Sequence, residues 1–125
     1  MASIIPLDSL NLEPAKRISA GEILGLVGDI SSVGELKKLQ IDFEILPPGH
    51  RSAPAHSHSE KEECMYVLEG SPKISLGGDV VQLKPGEFVT IPPCKTPHMI
   101  FNDSSNEVKL LVISTGHEND IVTYV

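Results

Sequence analysis

The chain has 125 residues, enough for one domain with a hydrophobic core of its own and no need of disulfides or a structural zinc cluster. A hydrophobic fraction of 40% excludes a disordered tail, and the absence of tryptophan leaves Leu, Ile and Val to build the core. A formal net charge of −7 excludes nucleic acid as an expected partner, because neutralising phosphates takes clustered Lys and Arg.

The opening residues, Met1 to Asp8, carry no basic segment and no sustained apolar run, so no signal peptide is expected. No stretch approaches the ~18 apolar residues of a membrane span. Cys64 and Cys94 make a poor disulfide framework and read as two reduced thiols. The expected setting is the cytoplasm, without membrane contact.

Through about residue 36, Pro6, Pro14, Gly21, Gly25, Gly28 and Gly34 interrupt every candidate helix and leave strand-like pieces such as Ile23 to Val27. A helical turn starting near Ser32 is disfavoured by Gly34. From Leu39 the pattern clears: Leu39, Ile41, Phe43 and Ile45 alternate with Gln40, Asp42 and Glu44, as in a strand with one wet face. Pro47-Pro48-Gly49 ends it. A histidine-bearing segment follows, and then a strand from Glu63 to Leu68. Lys73 to Leu76 and Val80 to Leu83 flank Gly77-Gly78-Asp79 as a hairpin. After the Lys84-Pro85-Gly86-Glu87 turn come strands at Phe88 to Ile91, His98 to Phe101, Val108 to Ser114 and Ile121 to Val125. Short strands with frequent turns and almost no helix predict an all-β sandwich, jelly roll or barrel. The reading is one domain over 1–125, with an N-terminal extension at 1–36 and a barrel core at 37–125.

Chemistry concentrates at Ala55-His56-Ser57-His58-Ser59-Glu60-Lys61-Glu62-Glu63. In a strand, residues i and i+2 share a face, so His56 and His58 project together while Ser57 faces away. Glu63, Met65 and Val67 also share a face. A carboxylate on an otherwise apolar inward face is costly unless a cation compensates it. His98 and Ile100 share a face on a later strand. Together His56, His58, Glu63 and His98 would offer three imidazoles and one carboxylate to a divalent ion such as Fe, Mn, Ni, Cu or Zn. Taken singly, His56 and His58 read equally well as exposed loop histidines, and His98 as a satisfied core histidine.

The order of these residues resembles the two motifs of the cupin family over roughly residues 41 to 115. The first motif (glycine, His-x-His, Glu, glycine) is matched by Gly49, His56, His58, Glu63 and Gly70. The second (glycine, proline, His, Asn) is matched by Gly86, Pro92 or Pro93, His98 and Asn102. The resemblance implies a double-stranded β-helix, a jelly-roll barrel, with His56, His58, Glu63 and His98 as metal ligands. Glu62 is the alternative carboxylate, since the family allows a shorter gap; the spacing to Gly70 and the company of Met65 and Val67 favour Glu63. Two departures stand out: the Gly49–His56 gap is one residue longer than the family's usual form, and Lys95 replaces a glycine three residues before His98. Lys95 is therefore expected in strained backbone or in a different turn, and Cys94 and Lys95 are candidates for lining the barrel mouth.

The remaining polar residues read more plainly. His50 and His117 are expected at the surface, Glu60 to Glu62 in a solvated loop, and Met65 and Tyr66 in the core or wall. Arg51 is a strand-end arginine with a lesser claim to an anionic ligand. The functional expectation is a cupin with one divalent metal that binds or transforms a small polar molecule, as a dioxygenase, isomerase or lyase if an enzyme. The alternative is a non-catalytic binding or sensing module with a vestigial site. A homodimer is expected, with the Ile4-Ile5 and Ile23 to Val27 pieces adding a strand across a partner.

Overall fold

The computed structural model describes residues 1–15 and 21–125; the part of the expected N-terminal extension at 16–20 lies outside the described residues. A 3-10 turn at Leu7–Ser9 leads into strand β1 (Glu13–Pro14), β2 (Leu26–Asp29), a one-turn helix α1 (Ile30–Val33) and β3 (Leu39–Leu46). The barrel strands follow: β4 (His56–His58), β5 (Glu63–Glu69), β6 (Lys73–Leu76), β7 (Asp79–Gln82), β8 (Phe88–Ile91), β9 (His98–Phe101), β10 (Val108–Thr115) and β11 (Val122–Tyr124). They form two antiparallel sheets, in the orders β1-β2-β3-β10-β5-β8 and β11-β4-β9-β6-β7. This is the expected jelly roll. The hairpin β6–β7 closes through Gly77 and Gly78, with Leu76 opposite Asp79 and Gly77 at φ +63, the positive φ that two-residue hairpin turns demand.

The barrel interior changes polarity along its axis, and the strand sequences dictate it. On β5 the inward series runs Glu63, Met65, Val67; on β10 it runs Val108, Leu110, Val112, Ser114. Register sets Ser114 opposite both Glu63 and Gln40, and Val108 opposite Leu46. The apolar end is closed by Leu46, Val67, Ile74, Ile100, Val108 and Leu110, each at most 2% exposed. Fully burying such side chains stabilises the fold by about 1.5–3 kcal/mol apiece relative to exposing them. The other end is left to polar groups.

Strand β3 alternates as read, and its wet face is the barrel lumen. Gln40 and Asp42 line an internal cavity, and Glu44 is fully buried, accepting a hydrogen bond from Ser52 Oγ. The apolar face, with Phe43 and Ile45, turns outward and is roofed by Leu7, Leu10 and Leu12 of the N-terminal segment. Leu10 and Leu12 approach β2 so closely that a Cβ at Gly28 would sit 3.0 Å from each. The Ile23–Val27 expectation changes: β2 starts at Leu26 and pairs with β3 of its own chain, Gly28 opposite Phe43. No helix runs on from Ser32 to Leu39, as expected from Gly34, but a short one precedes that glycine. α1 is one turn long, capped by the Asp29 carboxylate on Ser32 N and ended by Gly34 itself.

Candidate metal centre

The site straddles the two sheets at the polar end of the barrel. β4 presents His56 and His58 on one face, and β9 places His98 directly opposite His56, with ring centroids 4.5 Å apart. The carboxylate arrives from the other sheet, where β5 begins at Glu63. Glu63 Oε1 lies 2.9 Å from His58 Nε2 and 3.2 Å from His98 Nε2. One ligand atom from each of His56, His58, Glu63 and His98 falls within 4.8 Å of all the others, a group that could hold a metal ion.

The donors are close without satisfying one another. Glu63 Oε1 and both ring nitrogens of His98 are buried with no hydrogen-bond partner among the described residues. Buried polar atoms are almost always paired, because an unpaired one costs about 1–3 kcal/mol. Of these, Glu63 Oε1 and His98 Nε2 lie 3.2 Å apart and fit a cation that accepts a lone pair from each, while His98 Nδ1 lies on the far side of the same ring. Three imidazoles and one carboxylate form a borderline donor set suited to first-row divalent ions.

Two rings are oriented from behind. His56 Nδ1–H donates to Pro54 O at 2.8 Å, and His58 Nδ1–H donates to Asp120 Oδ2 at 2.7 Å. Each bond places the proton on Nδ1 and leaves the Nε2 lone pair toward the centre, the usual arrangement behind metal-binding histidines. Asp120 Oδ1 also accepts from the Glu60 and Lys61 amides at 2.9 and 3.0 Å. Sequence reasoning passed over Asp120, which has no motif spacing and enters the site only because β11 pairs with β4.

Electrostatics follow the geometry. Burial pushes the Glu63 carboxyl up, but the His58 and His98 imidazoles beside it outweigh that and hold it well below its usual range. Burial likewise opposes ionisation of Asp120, and the Lys61 and Glu60 amides with His58 overcome it, bringing it to about 2. Contact with Glu63, against some burial, raises His58. His56 is lowered, chiefly by burial.

Above the group lies a cavity of about 170 Å³ floored by Met65 and Val112 and walled by Gln40, Lys61, Ser114 and Tyr124. The Tyr124 ring packs on His56 with centroids 5.7 Å apart.

Residues 42–114 match the family model described as a cupin domain. The chain is a cupin. A stretch of 70 residues is 37% identical to an uncharacterised protein of Methanocaldococcus jannaschii, covering 56% of this chain and 54% of that one. Among solved structures, a protein from Acidithiobacillus ferrooxidans provisionally assigned as a sugar phosphate isomerase superposes with a TM-score of 0.77 at 29% identity, over 80% of this chain and 64% of that one. A cupin-superfamily sugar phosphate isomerase from Silicibacter pomeroyi (TM-score 0.85, 20% identity, 98% and 82% covered) shares the fold. So does the polyketide cyclase RemF from Streptomyces resistomycificus (TM-score 0.85, 23% identity, 100% and 86% covered). The chain thus spans about half the length of the curated relative and under two thirds of the Acidithiobacillus structure.

Other cupin-motif positions serve the scaffold. Gly70 has φ +89, and a Cβ there would meet Glu107 O at 2.7 Å. Asn102 is 1% exposed; its Nδ2 donates to Leu46 O and Asn106 O while its Oδ1 accepts from Ser104 N and Oγ. Lys95 is exposed and outside the positive-φ region, so its loop takes a different turn and the strained alternative falls away. Neither Cys94 nor Lys95 walls the cavity: Cys94 packs against the apolar core. Both cysteines are free. Arg51 is bound by Glu22 through two guanidinium bonds and also reaches Met99 Sδ, away from the cavity. Glu62 is exposed, and it is Glu63 that joins the histidines. His50, expected at the surface, is half-buried with Nδ1 3.3 Å from Leu24 O; His117 is exposed as read. Among the described residues no helix is long and apolar enough to cross a membrane.

Proposed function

We propose that His56, His58, Glu63 and His98 ligate one divalent transition ion, and that the protein binds or transforms a small polar molecule in the cavity above it. The supporting observation is the convergence of four donors, two of whose buried atoms, Glu63 Oε1 and His98 Nε2, have no hydrogen-bond partner among the described residues. The ion would supply Lewis-acid polarisation of a substrate oxygen at its open positions. The chain's own residues fix the two β4 imidazoles in one tautomer, exclude water below with Met65 and Val112, and present Lys61, Tyr124 and Gln40 to whatever enters.

The 29% likeness to the Acidithiobacillus protein makes sugar phosphate isomerisation the first activity to assay. The deciding experiment is elemental analysis of tag-free protein after metal-replete growth, repeated with His56→Ala and His98→Ala. The reading expects about one equivalent in the native chain and a trace in both variants. A native chain that carries no stoichiometric metal and is indifferent to chelation in a thermal melt would overturn it.

A further inference from the structure

Lys61 stands on the wall of the same cavity, and its surroundings differ from those of the paired surface cations. Lys73, Lys109 and Arg51 each face a carboxylate, Asp103, Glu69 and Glu22 in turn. Lys61 Nζ instead donates at 2.8 Å to Gln40 Oε1, a neutral amide oxygen that also takes the Ser114 hydroxyl at 3.3 Å. An ammonium carries three donors, and among the described residues one is used here. The Lys61 backbone is not loose either. Its amide is bound at 3.0 Å by Asp120, whose other oxygen orients His58, so ammonium and imidazole are registered to one carboxylate.

Charge and size narrow what could complete this wall. This step rests on the metal reading above. A divalent ion held by three neutral imidazoles and Glu63 keeps one positive charge, and Lys61 adds another. Of the nearby carboxylates, Asp120 and Glu44 are bound to His58 and Ser52 behind the wall, and Asp42 has an interaction of its own, so the ion and the Lys61 ammonium are the positive groups that face the cavity. A cavity of about 170 Å³, against the roughly 10–15 Å³ that one water needs, has room for an anionic group such as a carboxylate or a phosphate. We propose that Lys61 anchors the ligand, and that the ligand is a small oxyanion with one oxygen toward the four-donor group and another on the Lys61 ammonium.

The experiment uses Co²⁺-loaded protein titrated calorimetrically with malonate and, separately, inorganic phosphate, with the visible Co²⁺ spectrum recorded alongside. The two arms distinguish a carboxylate from a phosphate. At least one anion is expected to bind at one equivalent and shift the spectrum. Lys61→Gln should weaken it about tenfold to a hundredfold, as for loss of a charged hydrogen bond. Lys61→Arg should recover most of that loss. Equal affinity in native and Lys61→Gln protein, or no binding of either anion at millimolar concentration, overturns the proposal. If no Co²⁺ bands form, the metal reading fails separately, and the same titrations into metal-free protein decide. Anion binding that is lost in Lys61→Gln still supports the anchor, and binding that is absent or independent of Lys61 rejects it.

Discussion

Asp120 and His58 lie 62 positions apart in the chain and are joined by a 2.7 Å hydrogen bond from the imidazole Nδ1 to Asp120 Oδ2. The bond exists because β11 lies antiparallel to β4, with Val122 opposite His58 and Tyr124 opposite His56. The last stretch of the chain is therefore a wall of the site: it orients one imidazole, packs on another, and holds the turn that carries Lys61.

Removing this support should weaken metal binding without removing a ligand. Asp120→Ala frees His58 to rotate or change tautomer, and loss of such partners commonly costs 10–100-fold in affinity. Competition against a chromophoric chelator would measure the change. Asp120→Asn keeps an acceptor for the Glu60 and Lys61 amides but turns its Nδ2–H toward His58 Nδ1, favours the proton on Nε2, and should lose at least as much affinity as Asp120→Ala. An affinity unchanged in Asp120→Ala would mean that the barrel alone orients His58.

Metal should also be visible as stability. A ligand that binds only the folded state, present at about 100 times its Kd, stabilises by about 2.7 kcal/mol. For a domain of this size that is a rise in Tm of roughly 10 °C. Scans of chelated and metal-replete protein should differ by that order. The difference should vanish in His98→Ala, whose buried ring is one of the four donors.

How much of this was legible before the fold was known depends on the residue. Parity on β4 and β5 and the two motif spacings were sufficient to assemble His56, His58, Glu63 and His98, since strand geometry turns spacing directly into facing. Parity could not say which face of β3 is inside. Apolar residues usually turn inward, but here the lumen is partly a polar site, and the outward Phe43 and Ile45 are covered by a segment more than thirty residues earlier. Asp120 was invisible for a related reason: its role depends on strand pairing across the barrel and on no local pattern. Lys61 read as part of a solvated loop because its bond to Gln40 is likewise long-range.

The motif glycines allow a test of backbone strain against steric contact. Gly49 and Gly70 have φ of +85 and +89, but only Gly70 is crowded: its Cβ would sit 2.7 Å from Glu107 O and 2.8 Å from Val108 Cγ2, while nothing lies within 4 Å at Gly49. Gly49→Ala should cost the conformational part, about 1 kcal/mol. Gly70→Ala should cost more, about 3 kcal/mol, as the chain leading into β10 must also shift. Urea denaturation of the two variants would show the difference, and equal losses would mean that the loop before β10 yields easily.

A pH-dependent test lies away from the metal centre, at α1. The Asp29 carboxylate accepts from Ser32 Oγ at 2.6 Å and Ser32 N at 2.9 Å, and these bonds hold it below its ordinary value of 3.8. The helix it caps carries Ser31, whose hydroxyl donates to Leu39 O and accepts from Ile41 N, pinning the start of β3 beside Gln40. Asp29→Ala should cost about 1 kcal/mol at pH 7, the usual worth of such a cap. Because the folded pKa lies below the unfolded one, the ionised cap contributes fully above the unfolded value and loses its contribution as pH falls through the folded value. The stability gap between native and Asp29→Ala protein should thus be constant from pH 7 to about 5 and shrink below about pH 4. Urea melts at pH 7, 5 and 3 would measure it. A gap that widened on acidification would mean that the carboxylate is destabilising where it stands, and that Ser32 alone starts the helix.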